Sequence, residues 1–354
     1  VKEKGIKRSG VALIVVLILL VVVCIPIMWS CAPAPEPTEP IELIFSSWGT
    51  TRDPAIPAWE EMGKDLEEAT GGQVTMTIHH AEALGKAKEH YELAKEGVAD
   101  IAYLNTCFTP GRFPITDLAS YTSAPSGEIY TKGMLELMKQ GYMDKEYADV
   151  KVLFVYSGTP NHFFWREEAP SSLEGFQGKK IRVPSGAGAK IIEAIGATPV
   201  AIPMPEVYTA MERGVIDAAW TSLCTLEVFR MVDVTSSITE CNMLTFGFAI
   251  LMNQDSWDKL PAEAKALLEN NAEKYALMAT NGHDSSDAAA VELDKPIINK
   301  LSAEDMITLR EAQGVVLKDY LDEYEAAYQA KEAADLYYQT LKGLGVEPFA
   351  LPAE

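Results

Sequence analysis

The chain predicts an α/β fold of two lobes joined by hinge strands and a long connecting helix. Three observations carry this. Its 354 residues exceed what one hydrophobic core normally organises. Short apolar runs alternate with amphipathic helical stretches from residue 41 onward, the signature of strand–helix–strand units and parallel sheets. Two apolar runs, 151–156 and 244–252, are placed to cross between lobes, and from Pro261 to about Ala290 the chain reads as almost unbroken helix.

The elements follow in order. IELIFS (41–46) reads as a buried strand, and 55–69 as an amphipathic helix stopped by Gly71-Gly72. Residues 73–79 form a strand, 86–96 a helix and 100–104 a strand; after a loop rich in Pro and Thr, 127–141 is helical. Beyond the first crossing strand, strands are expected near 161–166, 179–183, 198–202 and 215–220, with helices at 187–195, 205–213 and 222–231. Pro205 in a first turn and Gly214 just past a last turn are start and stop signals. After the second crossing and the long helix, Ser302 with Asp305 resembles a helix cap, and 315–342 is the last helix.

The most informative stretch is 178–217. GKKIRVP (178–184) carries Arg182 on a short strand, on the face opposite Ile181 and Val183. Pro184 and Ser185 stop that strand and Gly186 opens a helix. A guanidinium there offers a planar fork of donors suited to a carboxylate, and a neighbouring helix start also favours an anion. The competing reading is an ordinary salt-bridge arginine. Trp48 and Trp220 each follow a predicted strand, where ligands sit in open α/β sheets.

The run L-x-G-x-x-G-K-K-I-R-V-P (173–184), then G-A-T-P (196–199), then P-E-V-Y-x-A-x-x-x-G-V-I-D (205–217) resembles the solute-binding proteins of TRAP (tripartite ATP-independent periplasmic) transporters, of the DctP type. TGGQVTMTIHHAEALGKAKEHYELAKEGVADIAYL (70–104) and FAILMNQDSWDKLPAEAKALLE (248–269) extend the resemblance to roughly 41–340. It implies a periplasmic-binding-protein-like fold, no cofactor, and TRAP permease subunits as membrane partners. It also implies that Arg182 clamps the carboxylate of an organic acid between the lobes. Ser185, Thr221 and Trp220 stand where the family places ligand-contacting side chains, while Trp48 and Asn105 face them from the first lobe. The sequence departs from the family in two places. SGTPNHFF (157–164) offers Asn161 and His162 where some sialic-acid binders place a second basic residue, and Asp217 is followed by Ala218 instead of Gly. These departures point to a smaller or more apolar monocarboxylate, with aromatic and keto acids as candidates.

Residues 1–31 read as a signal peptide or anchor and 32–40 as a Pro-rich linker. The body divides into lobe I (41–156 and 247–285) and lobe II (157–246 and 286–354). A basic start, Lys2 to Arg8, precedes 19 apolar residues (11–29) and then Cys31. Two readings stay open: cleavage before a lipidated Cys31, or an uncleaved span. Both export the body and tether it to the outer face of the cytoplasmic membrane. The whole chain carries −21, and its first 30 residues contribute +3, which leaves −24 for the rest. So acidic a body excludes nucleic acid as a partner and requires a local positive site for an anionic ligand.

The sequence contains no G-x-S-x-G, C-x-x-C, H-E-x-x-H or phosphate-loop motif, and His79, His80 and Glu82 lack a further ligand at metal spacing; neither catalysis nor a metal is expected. Cys107, Cys224 and Cys241 are expected as buried thiols, with a Cys224–Cys241 bridge as the alternative. Other function classes on the same fold are a binding protein of a different transporter class and a ligand-sensing lipoprotein.

Overall fold

The computed structural model describes residues 39–121, 124–184, 186–293 and 296–346. The N-terminal segment with Cys31, and Ser185, lie outside the described residues. From Ile41 the chain opens with the expected β–α–β unit: β1 (Ile41–Ser46), α1 (Ile56–Ala69) and β2 (Val74–His79). A proline in the first turn starts α1, where no helical partner for its missing N–H exists. The helix buries Ile56, Ala58, Trp59, Met62 and Leu66 on one side. A 3-10 turn over Ala87–Glu89 and α2 (His90–Lys95) lead to β3 (Ile101–Asn105), and α3 (Gly127–Lys139) precedes β4 (Val150–Ser157).

The chain then enters a second sheet. Its elements are β5 (Asn161–Trp165), β6 (Lys180–Val183), α4 (Gly186–Ala194), β7 (Thr198–Ala201), α5 (Met204–Glu212), β8 (Ala218–Ser222), α6 (Thr225–Val228) and β9 (Ser237–Met243). β10 (Gly247–Asn253) returns to the first sheet. It is followed by α7 (Gln254–Lys259), α8 (Ala262–Asn270), α9 (Ala272–Val291), β11 (Ile297–Lys300), α10 (Ala303–Tyr328) and α11 (Ala330–Gly343). The strand orders are β2-β1-β3-β10-β4 and β11-β9-β5-β8-β6-β7. The fold is the two-lobed α/β arrangement expected, with α9 as the long connecting helix.

Several details differ from the sequence reading. Neither sheet is wholly parallel: β10 runs antiparallel to β3 and β4, and β5 runs antiparallel to β8 and β9. Only the strand after each crossing, β5 or β10, is reversed, because it enters its new sheet from the end at which the other strands leave. β9 and β11 were not expected. SITECNM is too polar to stand out as a strand, and IINK is only four residues long with Ile297 exposed. The helix expected at 222–231 shrinks to α6 and a 3-10 turn at Met231–Val234. The stretch 261–290 divides at Asn271. The last helix is two: α10 starts at Ser302, whose hydroxyl accepts from Asp305 N at 3.1 Å, and stops at Gln329, which is left-handed at φ 52°. α11 then packs back on α3. A Cβ on Gly133 would strike the Tyr337 ring, so the glycine is what lets that aromatic seat. All three described cysteines are free and buried. Among the described residues no helix is long and apolar enough to cross a membrane.

The crossings run side by side. Gly158 N donates to Phe246 O at 3.1 Å and Asn161 N to Leu244 O at 3.0 Å. Ser157 and Thr245 share a hydroxyl–hydroxyl contact of 2.9 Å.

Candidate ligand-binding site

Arg182 lies in β6 between Ile181 and Val183, both packed in the core on the opposite face. Alternation therefore drives its side chain to the other side of the sheet, where it is 2% exposed. Two of its donors are fixed by backbone carbonyls: Nε by Ile202 O at 2.8 Å and Nη1 by Trp220 O at 3.1 Å. Among the described residues no carboxylate forms an ion pair with it. Burial pushes its pKa down to about 10, so it stays charged at neutral pH. A buried cation without a counter-charge costs several kcal/mol. An anionic ligand offsets that cost.

The guanidinium looks into a cavity whose empty space, mouth included, is ≈ 580 Å³. Trp48, Phe108, Phe246 and Phe248 supply apolar walls, and Asn105, Thr159 and Thr221 supply polar positions. The aromatic groups support one another: Trp48 stacks on Tyr103 at 5.1 Å and meets Phe108 edge-on at 5.1 Å. Asn105 closes β3 and is held by its own loop, accepting from Cys107 N at 3.1 Å. A groove lined by Lys86, Pro184, Pro203 and Glu206 shares Cys107 and Phe108 with the cavity and leads outward between the lobes.

Of the residues singled out from sequence, Arg182, Trp48, Asn105 and Thr221 come together here. Trp220 and Asn161 do not. β8 begins at Ala218, so Trp220 sits inside the strand instead of after it. Its indole turns to the opposite face from Thr221 and stacks on Phe163 at 4.6 Å, fully buried. Its contribution is the carbonyl that holds Arg182. Asn161 is also fully buried, with Nδ2 donating to Leu244 O at 3.1 Å across the crossing segments.

Sequence reading missed the other polar group of the cavity. Asp53, in the loop between β1 and α1, accepts from Ala55 N at 2.9 Å through Oδ1. His283, on α9, places Nε2 3.7 Å from that same oxygen. Burial pushes Asp53 up to about 7 and His283 down to about 4, so at neutral pH a neutral imidazole faces a carboxyl near its midpoint. The signal for Asp53 was an Asp-Pro ahead of a helix, which reads as a turn. His283 carried none, because a lone histidine in a polar helix has no pattern.

A buried guanidinium with no counter-charge among the described residues, in an aromatic-walled cavity between two sheets, defines a two-lobed receptor for a small anion. The chain belongs to the bacterial extracellular solute-binding protein family 7 (DctP), whose profile matches residues 45–330. Members are receptors, not enzymes, and their role is extracytoplasmic capture and delivery to a TRAP transporter. A solute-binding protein from Albidiferax ferrireducens is 26% identical over 240 residues, 64% of this chain and 69% of that one. A monocarboxylate 2-oxoacid-binding periplasmic protein from Nostoc is 24% identical over 254 residues, 70% of this chain and 69% of that one. A TRAP periplasmic solute-binding protein of Bordetella bronchiseptica, solved with bound (R)- and (S)-mandelate, superposes with a TM-score of 0.80 at 24% identity, covering 86% of this chain and 100% of that chain. At that identity the likeness is one of fold.

Proposed function

We propose that this protein captures an organic monocarboxylate with an apolar or aromatic body and delivers it to the membrane subunits of a TRAP transporter. The observation that carries the reading is Arg182: a buried guanidinium with no carboxylate partner among the described residues, two donors already fixed, facing a cavity walled by aromatic rings. Fixed donors keep the fork planar and aimed, which favours a carboxylate over a diffuse anion. The aromatic walls favour a ring or a short apolar chain. The ligand classes named for similar proteins, 2-oxoacids and mandelate, are of this kind. A thermal-shift screen of the whole chain tests it. Aromatic and 2-oxo monocarboxylates are expected to raise the melting temperature, by mass action on the folded state. A panel in which only uncharged solutes stabilise would reject it.

The lobes are assigned as 41–156 with 247–285 and 157–246 with 286–354, except that α11 rests on α3 of the first. The exported body is tethered through residues 1–40, by lipid on Cys31 or by 11–29 as a span. Cys31→Ser separates the two: release or failed processing supports the lipid, an unchanged full-length membrane protein supports the span, and a cytosolic body rejects both.

A further inference from the structure

The cavity has polar equipment that a carboxylate on Arg182 leaves unused. His283 is 7% exposed, and among the described residues its Nε2 has no hydrogen-bond partner. That nitrogen lies 3.7 Å from Asp53 Oδ1, too far for a direct hydrogen bond. One oxygen placed about 2.8 Å from each would bridge them. The imidazole is held in place for such a contact. It stacks on Phe248 at 5.9 Å and on Tyr156 at 6.2 Å, while Cys224 Sγ lies 3.8 Å from Nδ1. α9 can approach the Asp53 loop only because Gly282 has no side chain; a Cβ there would collide with the carbonyl oxygen of Pro54. Arg182, Asp53 and His283 all line this one cavity.

We propose that Asp53 and His283 form a second anchor in this cavity, for a hydroxyl on the body of the ligand, so that the preferred ligand is a hydroxylated aromatic monocarboxylate. The proposal rests on the reading of Arg182 as the carboxylate anchor. A hydroxyl both donates and accepts, so it serves either imidazole tautomer and either state of the Asp53 carboxyl. A second ionised carboxylate would face Asp53 and be repelled. An ammonium only donates, and the buried pair supplies it with at most one negative charge that burial disfavours.

Titration calorimetry of the whole chain with benzoate, 3-hydroxybenzoate and 4-hydroxybenzoate decides it. One hydroxybenzoate is expected to bind at least about 10-fold tighter than benzoate. In His283→Phe, which keeps a ring on Phe248 but removes the nitrogen, the hydroxybenzoate-to-benzoate ratio should collapse to within about 3-fold. His283→Leu replaces that variant if it does not melt cooperatively. Benzoate binding with no advantage for either hydroxy isomer overturns the second anchor and leaves the Arg182 reading standing. Tighter binding of isophthalate or of 3-(aminomethyl)benzoate than of both hydroxybenzoates also overturns it. If none of the three benzoates binds, the second anchor is overturned, while the Arg182 reading is decided separately by the 2-oxo acids of the thermal-shift screen.

Discussion

Arg182 Nη1 donates to the carbonyl oxygen of Trp220 at 3.1 Å, so the residue beside the cavity that looks most like a ligand-stacking surface is instead a backbone brace for the cation. The brace and the Ile202 carbonyl hold the fork before any ligand arrives. Each charge-assisted hydrogen bond to a carboxylate contributes about 1.5–3 kcal/mol, and the fork supplies two. Arg182→Ala should therefore weaken binding of a stabilising acid by at least about 100-fold in calorimetry. Arg182→Lys should recover little, because a point charge reaches neither carbonyl nor both carboxylate oxygens with the same geometry. Parent-like affinity in the alanine variant would remove Arg182 from the site.

Trp220 also shows where sequence reading stops. The GKKIRVP block located the strand, the face and the helix start behind Arg182, because alternation about a charged residue is a local property. The error at Trp220 came from a strand boundary. Placing the strand at 215–220 put the indole at its very end, whereas β8 runs Ala218–Ser222 and alternation then assigns Thr221, not Trp220, to the cavity face. Asp53 and His283 are 230 residues apart and meet only through tertiary packing. No spacing rule reaches that far. β9 was hidden for another reason: its stability comes from pairing with β5 and β11 on either side, not from its own composition.

Stability should fall as pH rises from about 6.5 to 8. Burial pushes Asp53, Asp117 and Asp287 up to about 7 and Glu146 up to about 8, from ordinary values of 3.8 and 4.5. In that window the folded state holds protons that the unfolded chain has released, so raising pH favours unfolding. His162 and His283, pushed down to about 4 from 6.5, act in the opposite direction, but only below 6.5. Urea midpoints at pH 6.5 and 8.5 should differ, with the lower midpoint at 8.5, and Asp117→Asn should reduce the difference. A rising midpoint over this interval contradicts the assignment.

Gly282→Ala tests the approach of α9 to the Asp53 loop. An ordinary Gly-to-Ala change inside a helix stabilises by about 1 kcal/mol. Here the added methyl meets the Pro54 carbonyl, and overpacking should reverse the sign, costing about 1–3 kcal/mol. Thermal melting should show a decrease of several degrees. A melting temperature equal to or above the parent's would mean that the helix and the loop have room to spare.

Ligand binding should draw the lobes together. A ligand touching Arg182 in the second sheet and Trp48 beside the first stabilises the closed form only through contacts it makes to both. Small-angle scattering with and without a saturating acid should show a smaller radius of gyration in the loaded state. Superimposable profiles, with binding verified in the same sample, would leave a rigid pocket in place of a hinge.

The paired crossings set the mechanics of that motion. Gly158 to Phe246, Asn161 to Leu244 and Ser157 to Thr245 fasten the two segments into one two-ply strap. A single strand can bend and swivel. Two strands laced edge to edge bend easily across their width but resist torsion, because twisting would stretch the lacing on one edge. α9 and the α10–α11 pair, which reaches back to α3, are further ties between the lobes, and together with the strap they restrict the directions in which a cleft can open. A closure restricted in this way would bring the outer rims together in one registration and offer a membrane partner a single shape to test for cargo.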